Sequence, residues 1–148
     1  MVLLGVEGYK KHAEDILTTT KKITEGVRAI AGLRLLGKAQ AMIVCFTGSI
    51  LNGREIDIYG IGDAMTRRGW SLNTLQSPAS MHLCCTVRHV GHEEDFLTDL
   101  RDAVTEVAAQ PIGKKKEGKA AIYGMASAMP GGSVNEILKV YNDVVLDA

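Results

Sequence analysis

The chain has 148 residues, of which 46% are hydrophobic, and 17 lysines and arginines balance 17 aspartates and glutamates. That length builds one domain with a real core. A formal net charge of zero excludes the strongly basic face that general nucleic-acid binding uses, and no apolar run reaches the ~18 residues of a membrane-spanning helix.

Residues 5–31 carry the clearest helical period. Tyr9, Ala13, Ile16, Thr20, Ile23, Val27 and Ile30 recur at steps of four and then three, which places one stripe along one helix face. Lys10, Lys11, Glu14, Asp15, Lys21, Lys22 and Glu25 fall off the stripe and face water. Gly32 stops the helix. Residues 33–36 and 41–46 then read as strands, with Gly37-Lys38-Ala39 turning between them. The second strand is apolar on both faces and is therefore expected at the centre of a sheet. TGSILNGR, residues 47–54, reads as a loop with a turn signal at Asn52-Gly53.

Asp57 is placed to cap a helix with Ile58, Ile61 and Met65 on one side. Gly60 and Gly62 weaken that helix by roughly 1 kcal/mol each relative to alanine. The helix ends at Gly69. Residues 71–75 and 81–87 form two more predicted strands around Gln76-Ser77-Pro78-Ala79. In the second of these, Met81, Leu83, Cys85 and Val87 face one way, and His82, Cys84, Thr86 and Arg88 the other. Glu93, Glu94 and Asp95 open the next helix, where the macrodipole favours negative charge. Phe96, Leu100, Val104 and Val107 form its stripe, and Pro111 ends it. Ser133-Val134-Asn135-Glu136 is a capping box for a last helix that buries Ile137, Leu138, Tyr141, Val144 and Val145. This order predicts an α+β fold, a short-stranded sheet covered by helices.

The segment 111–132 stands apart. Its 22 residues show no period, and loops beyond ~12–15 residues in a compact domain are usually functional or disordered. AAIYGMASAM within it is too apolar for water and is expected to pack against another surface. Its single chemical group is Tyr123. Small neighbours allow a close backbone approach there. A phenol so placed can donate a hydrogen bond to a phosphate, move a proton, or simply pin the loop to its own domain.

Other constellations point to structure. GxGxxG, P-loop, GxSxG and HExxH patterns are missing. His89 and His92 lack a third ligand, so no metal is expected. His82 reads as a hydrogen-bonded structural histidine, Trp70 as a packing residue whose indole N–H finds one acceptor, and Arg67-Arg68 as a solvated pair. Cys45, Cys84 and Cys85 form no CxxC spacing and lie in apolar runs, which fits a reducing compartment.

GVEGYKKHAEDI, LGKAQAMIVCF, EIDIYGIGDAMTRRGWSLNTLQSPASMHLCCT and AAIYGMA together resemble the sphingosine-1-phosphate lyases, in order and spacing along nearly the whole chain. The D-I-Y…M…R-G-W-x-L-N-x-L-Q…H run and I-Y-G-M-A are the most specific pieces. Ser77 departs from the phenylalanine usual in that family, and the TGSILNGREI loop looks longer than usual.

The resemblance implies the small C-terminal domain of a fold-type I pyridoxal-phosphate enzyme. Residues 1–31 would be a long helix connecting to a large domain outside this chain, and 32–110 the small α+β domain. Residues 111–132 would reach toward the active site, and 133–148 form the C-terminal helix. The family cleaves phosphorylated sphingoid bases to a long-chain aldehyde and phosphoethanolamine. It works as a homodimer, with the cofactor in Schiff-base linkage to a lysine of the large domain. By that resemblance Tyr123 positions the substrate phosphate or assists proton transfer. No cofactor-binding or metal-binding residue is expected in this chain, and the chain alone is expected to be inactive. Membrane contact would come only through an N-terminal segment outside it, with the catalytic part facing the cytosol at the endoplasmic reticulum in eukaryotic relatives. Two other readings stay open: the small domain of an amino-acid decarboxylase of the same superfamily, and a non-catalytic α+β dimerisation module.

Overall fold

The computed structural model describes residues 4–39 and 41–111, together with Glu136 and Lys139. The expected last helix, Tyr123 and all but the first residue of the 111–132 segment therefore lie outside the described residues, those two positions excepted.

Helix α1 spans Gly5–Ala29. Its stripe is buried only in its second half, where Ile23 and Val27 are fully covered. Tyr9 is 48% exposed, and Ala13 is exposed as well. The sequence period predicts a helix face, but what covers that face is a tertiary matter. In the first half only Ile16 packs partly against the core.

Four short strands form an antiparallel sheet in the order β1-β2-β6-β5. They are β1 (Leu33–Leu35), β2 (Ile43–Gly48), β5 (Asn73–Leu75) and β6 (Ser80–Cys84). β2 is central, as its apolar run predicts, but it is not buried on both faces. Val44 and Phe46 are fully covered, whereas Ile43 is 46% exposed. Val44 pairs with Leu83 and Phe46 with Met81, so one face of the sheet carries these four residues into the core. The opposite face carries Arg34, Cys45, His82 and Cys84, half-buried or exposed. Period 2 guarantees this division once one face is chosen for the core.

The predicted loop 47–54 is a hairpin. β3 (Ile50–Leu51) pairs with β4 (Arg54–Glu55) across Asn52-Gly53. Both turn residues have positive φ, 52° and 77°, the backbone that two-residue hairpin turns require and that Asn-Gly supplies most readily.

Helix α2 (Ile58–Arg67) is capped by Asp57, whose side chain accepts from the Tyr59 amide. The glycine at 62 has a packing reason. A Cβ there would sit 2.4 Å from Met81 Cε, so the missing side chain lets α2 lie directly on β6.

After β6 the extended alternation fails. Val87 was expected on the core face but is 47% exposed and starts a 3-10 turn, Val87–His89. Thr86 caps that turn by accepting from Arg88 N, and His89 Nδ1 accepts from Thr86 N. This reciprocal pair competes with the strand ladder and ends it. Helix α3 (Glu93–Ala108) then packs on α1 and α2, burying Phe96, Leu100, Val104 and Val107 as predicted, and Leu97 and Ala103 besides.

Candidate functional site

Three polar arrangements stand out. The first ties α1 to α3. Glu93, only 7% exposed, accepts a 2.9 Å hydrogen bond from Thr19 Oγ1 and lies 3.5 Å from Lys22 Nζ. The backbone N–H at the start of α3 holds the carboxyl below the usual range, and Thr19 and Lys22 add to this against the opposing effect of burial. The sequence marks Glu93 only as one of three acids at a helix start. Its distinct role needs Thr19, 74 residues earlier.

The second arrangement surrounds Trp70. Its indole N–H donates to Asp99 Oδ2 at 2.7 Å, its ring meets Phe96 edge-on at 5.1 Å, and His89 stacks on it at 6.3 Å. Trp70 thus packs with one acceptor, as its sequence context predicts. Arg67 and Arg68 are not simply solvated, because both pair with Glu106. Burial alone would push the Glu106 carboxyl up; the hydrogen bond from Arg68 and the two guanidinium charges outweigh it and hold the carboxyl below its ordinary value. Burial pushes the Cys85 thiol up, which marks it as a core residue and not a nucleophile. Among the described residues, no three His, Cys, Asp or Glu side chains come together to hold a metal.

The third arrangement is a cleft of ≈ 450 Å³ where β1, the end of β2, the start of α2 and the β5–β6 turn converge. Arg34, Thr47, Glu55, Asp57, Tyr59 and Ala79 contribute to its lining. Its walls are tied together: Thr47 Oγ1 donates to the Ala79 carbonyl at 2.6 Å, and the Tyr59 hydroxyl donates to the Leu75 carbonyl at 2.9 Å. At the back, Ser49 N donates to Gly32 O and Ile56 N to Ser49 O. In the sequence no side chain of this cleft carries a binding signal: Asp57 reads as a cap, Ile58 as a helix-stripe residue and Pro78-Ala79 as part of a turn. The nearest signal was the Asn52-Gly53 turn, which folds Glu55 back beside β2.

Tyr123, the predicted site residue, lies outside the described residues, so the geometry does not place it. Every described lysine, including Lys22 and Lys38, is exposed. None is enclosed as a covalent attachment point for pyridoxal phosphate must be, and the described residues do not fit that cofactor by themselves.

No family model matches the chain. The fold recurs in Lactobacillus brevis glutamate decarboxylase, with a TM-score of 0.65 at 18% identity, over 74% of this chain and 26% of that one. The fold is that of the small domain of fold-type I pyridoxal-phosphate enzymes. Sequence narrows the class. The sphingosine-1-phosphate lyase of Arabidopsis thaliana is 43% identical over 144 residues, covering 97% of this chain and 25% of the relative. The rice enzyme is 40% identical over the same share of this chain and 26% of its own length. The solved Burkholderia pseudomallei sphingosine-1-phosphate lyase matches 95% of this chain and 27% of that one, at 32% identity and a TM-score of 0.62. The chain is homologous to the sphingosine-1-phosphate lyases and spans about a quarter of the length of these relatives.

Proposed function

We propose that this chain is part of a lyase that cleaves phosphorylated sphingoid bases to a long-chain aldehyde and phosphoethanolamine. The observation that carries the proposal is the 43% identity across 97% of the chain. Pyridoxal phosphate, when bound, supplies the electron sink for carbon–carbon cleavage, and regions that this chain does not span hold it. The chain by itself is inactive.

In this reading residues 1–31 link to the cofactor-holding part, and 32–110 are the small domain. Residues 111–132 reach toward the active site, ahead of a C-terminal helix at 133–148. Exposed apolar side chains on the first half of α1 are compatible with the link: Val6 is 81% exposed and Leu17 50%. Tyr123 sets the substrate phosphate by hydrogen bonding or moves a proton beside it. Homodimer formation, with the active site at the interface, and a cytosol-facing position at the endoplasmic reticulum belong to the same proposal. Among the described residues no helix is long and apolar enough to cross a membrane.

The test is a chimera in which this chain replaces the matching quarter of the Arabidopsis lyase. It should bind pyridoxal phosphate and cleave a phosphorylated sphingoid base, and Tyr123→Phe should lower the rate at least about tenfold. A folded, cofactor-loaded chimera that does not cleave the substrate refutes the lyase reading. A rate untouched by Tyr123→Phe removes only the tyrosine's role. The chain alone should form no specific adduct with pyridoxal phosphate on any lysine.

A further inference from the structure

The chain leaves α3 through Gln110 and Pro111. A helix C-terminus carries partial negative charge, which a cation in the last turn offsets. Helices α1 and α2 each have one there, Arg28 and Arg67, but α3 has none. Arg54 supplies it from 56 positions away. Its Nη1 donates to the carbonyl of Gln110, one residue beyond the cap at Ala109.

Pro111 follows at once. It has no amide hydrogen, and it biases Gln110 away from helical geometry. Proline therefore stops the helix, but it does not choose the direction of exit. The bond from Arg54 does, because it ties the exit to the β3–β4 hairpin.

That hairpin is a firm arm. Arg54 is half-buried and pairs with Leu51 across the Asn52-Gly53 turn. Ile56 N donates to Ser49 O and Ser49 N to Gly32 O, which lashes the base of the hairpin to the chain just after α1. A Cβ at Gly32 would meet Leu51 Cδ2 and Val104 Cγ1, each at 3.3 Å, so the hairpin and α3 close on the same point. TGSILNGREI, the stretch that looks longer than its resemblance implies, is thus the arm that holds the exit from α3.

We infer that Arg54 is a positioning residue for the lyase step: by holding the Gln110 carbonyl it fixes where the chain leaves α3, and so where residues 111–132 bring Tyr123. The inference rests on the proposed role of Tyr123. Arg54 touches no reacting atom. It acts through the placement of the phenol, where an error of about 1 Å can cost about a hundredfold in rate.

The experiment uses the Arabidopsis chimera loaded with pyridoxal phosphate. Arg54→Met keeps the apolar stem and removes the donor; Arg54→Gln takes its place should that variant fail to load cofactor. Arg54→Met should lower kcat about tenfold, with the same split between kcat and KM as Tyr123→Phe. The double variant should be little slower than either single one, instead of about a hundredfold slower than the parent. Arg54→Lys, which keeps a cationic donor, should recover most of the rate. Arg67→Gln cuts a different tie to α3, the pair with Glu106, and should leave the rate unchanged. A full-rate Arg54→Met beside a slow Tyr123→Phe would overturn this inference and leave the tyrosine's role standing. So would losses that multiply in the double variant, an Arg54→Lys as slow as Arg54→Met, or an equally slow Arg67→Gln. A full-rate Tyr123→Phe would remove the tyrosine's role and this inference with it, and a loaded chimera that cleaves nothing would remove the lyase reading as well.

Discussion

Thr19 and Glu93, 74 residues apart, are joined by a 2.9 Å hydrogen bond from hydroxyl to carboxylate. Both are nearly buried, at 1% and 7% exposure, so water cannot replace the bond if it is lost. Thr19→Val keeps the shape and removes the donor. It should cost about 1–3 kcal/mol, the range for stranding a buried charged acceptor. Urea unfolding of the two proteins measures it, and equal midpoints would deny the bond any net contribution.

The same carboxylate predicts an acid sensitivity. Its pKa in the folded chain lies below the ordinary 4.5. A carboxyl lowered on folding stabilises the fold above its unfolded pKa, and that contribution fades as pH falls through the lower folded value. Stability should therefore drop from about pH 4.5 downward more steeply in the natural chain than in Glu93→Gln. Parallel acid profiles would contradict this.

Gly62→Ala opposes two effects. Helix propensity favours alanine by about 1 kcal/mol, while overpacking costs about 1–3 kcal/mol. The new Cβ would meet Met81 Cε at 2.4 Å and Sδ at 2.7 Å, in a core where Met81 is 1% exposed. Overpacking should win, with net destabilisation of about 1 kcal/mol. Adding Met81→Leu, which removes the sulfur and its terminal methyl, should restore part of the loss. A more stable Gly62→Ala protein would mean that Met81 swings aside freely.

Trp70→Phe removes the indole donor to Asp99 and keeps a ring against Phe96. The expected cost is about 1–3 kcal/mol in thermal or urea unfolding. Asp99→Asn retains an oxygen acceptor and should cost less. The reverse ranking would show that ring volume, not the hydrogen bond, sets the loss.

Glu106 draws in both Arg67 and Arg68, yet the pairs sit at the surface. Glu106→Gln should change stability by only about 0.2–1 kcal/mol. That small effect should vanish in about 1 M salt, where the screening length is near 3 Å. A loss insensitive to salt would point to packing instead of charge.

Much of the local structure was legible in the residues themselves. The period of residues 5–31, the Asp57 cap, the stripe from Phe96 to Val107 and the breaks at Gly32 and Gly69 are local signals, read within a turn or two of chain. So was the homology, because whole motifs such as RRGWSLNTLQ retain their order. The 47–54 hairpin was half legible: its Asn-Gly turn was plain, but strands of two residues are too short to show alternation.

Only the tertiary structure decided which faces are covered. Tyr9 and Ile23 share one helical stripe, yet one is 48% exposed and the other fully buried, because burial depends on what lies opposite. Val87 left its predicted strand because Thr86 and His89 offered the backbone a better local bond. Glu93 became a buried anchor when Thr19 arrived beside it, and Arg34 and Glu55 came to share a cleft when the hairpin folded back. A sequence determines periodicity and capping through neighbours in the chain. Pairings across tens of residues arise only when the core closes and brings distant groups within hydrogen-bonding reach.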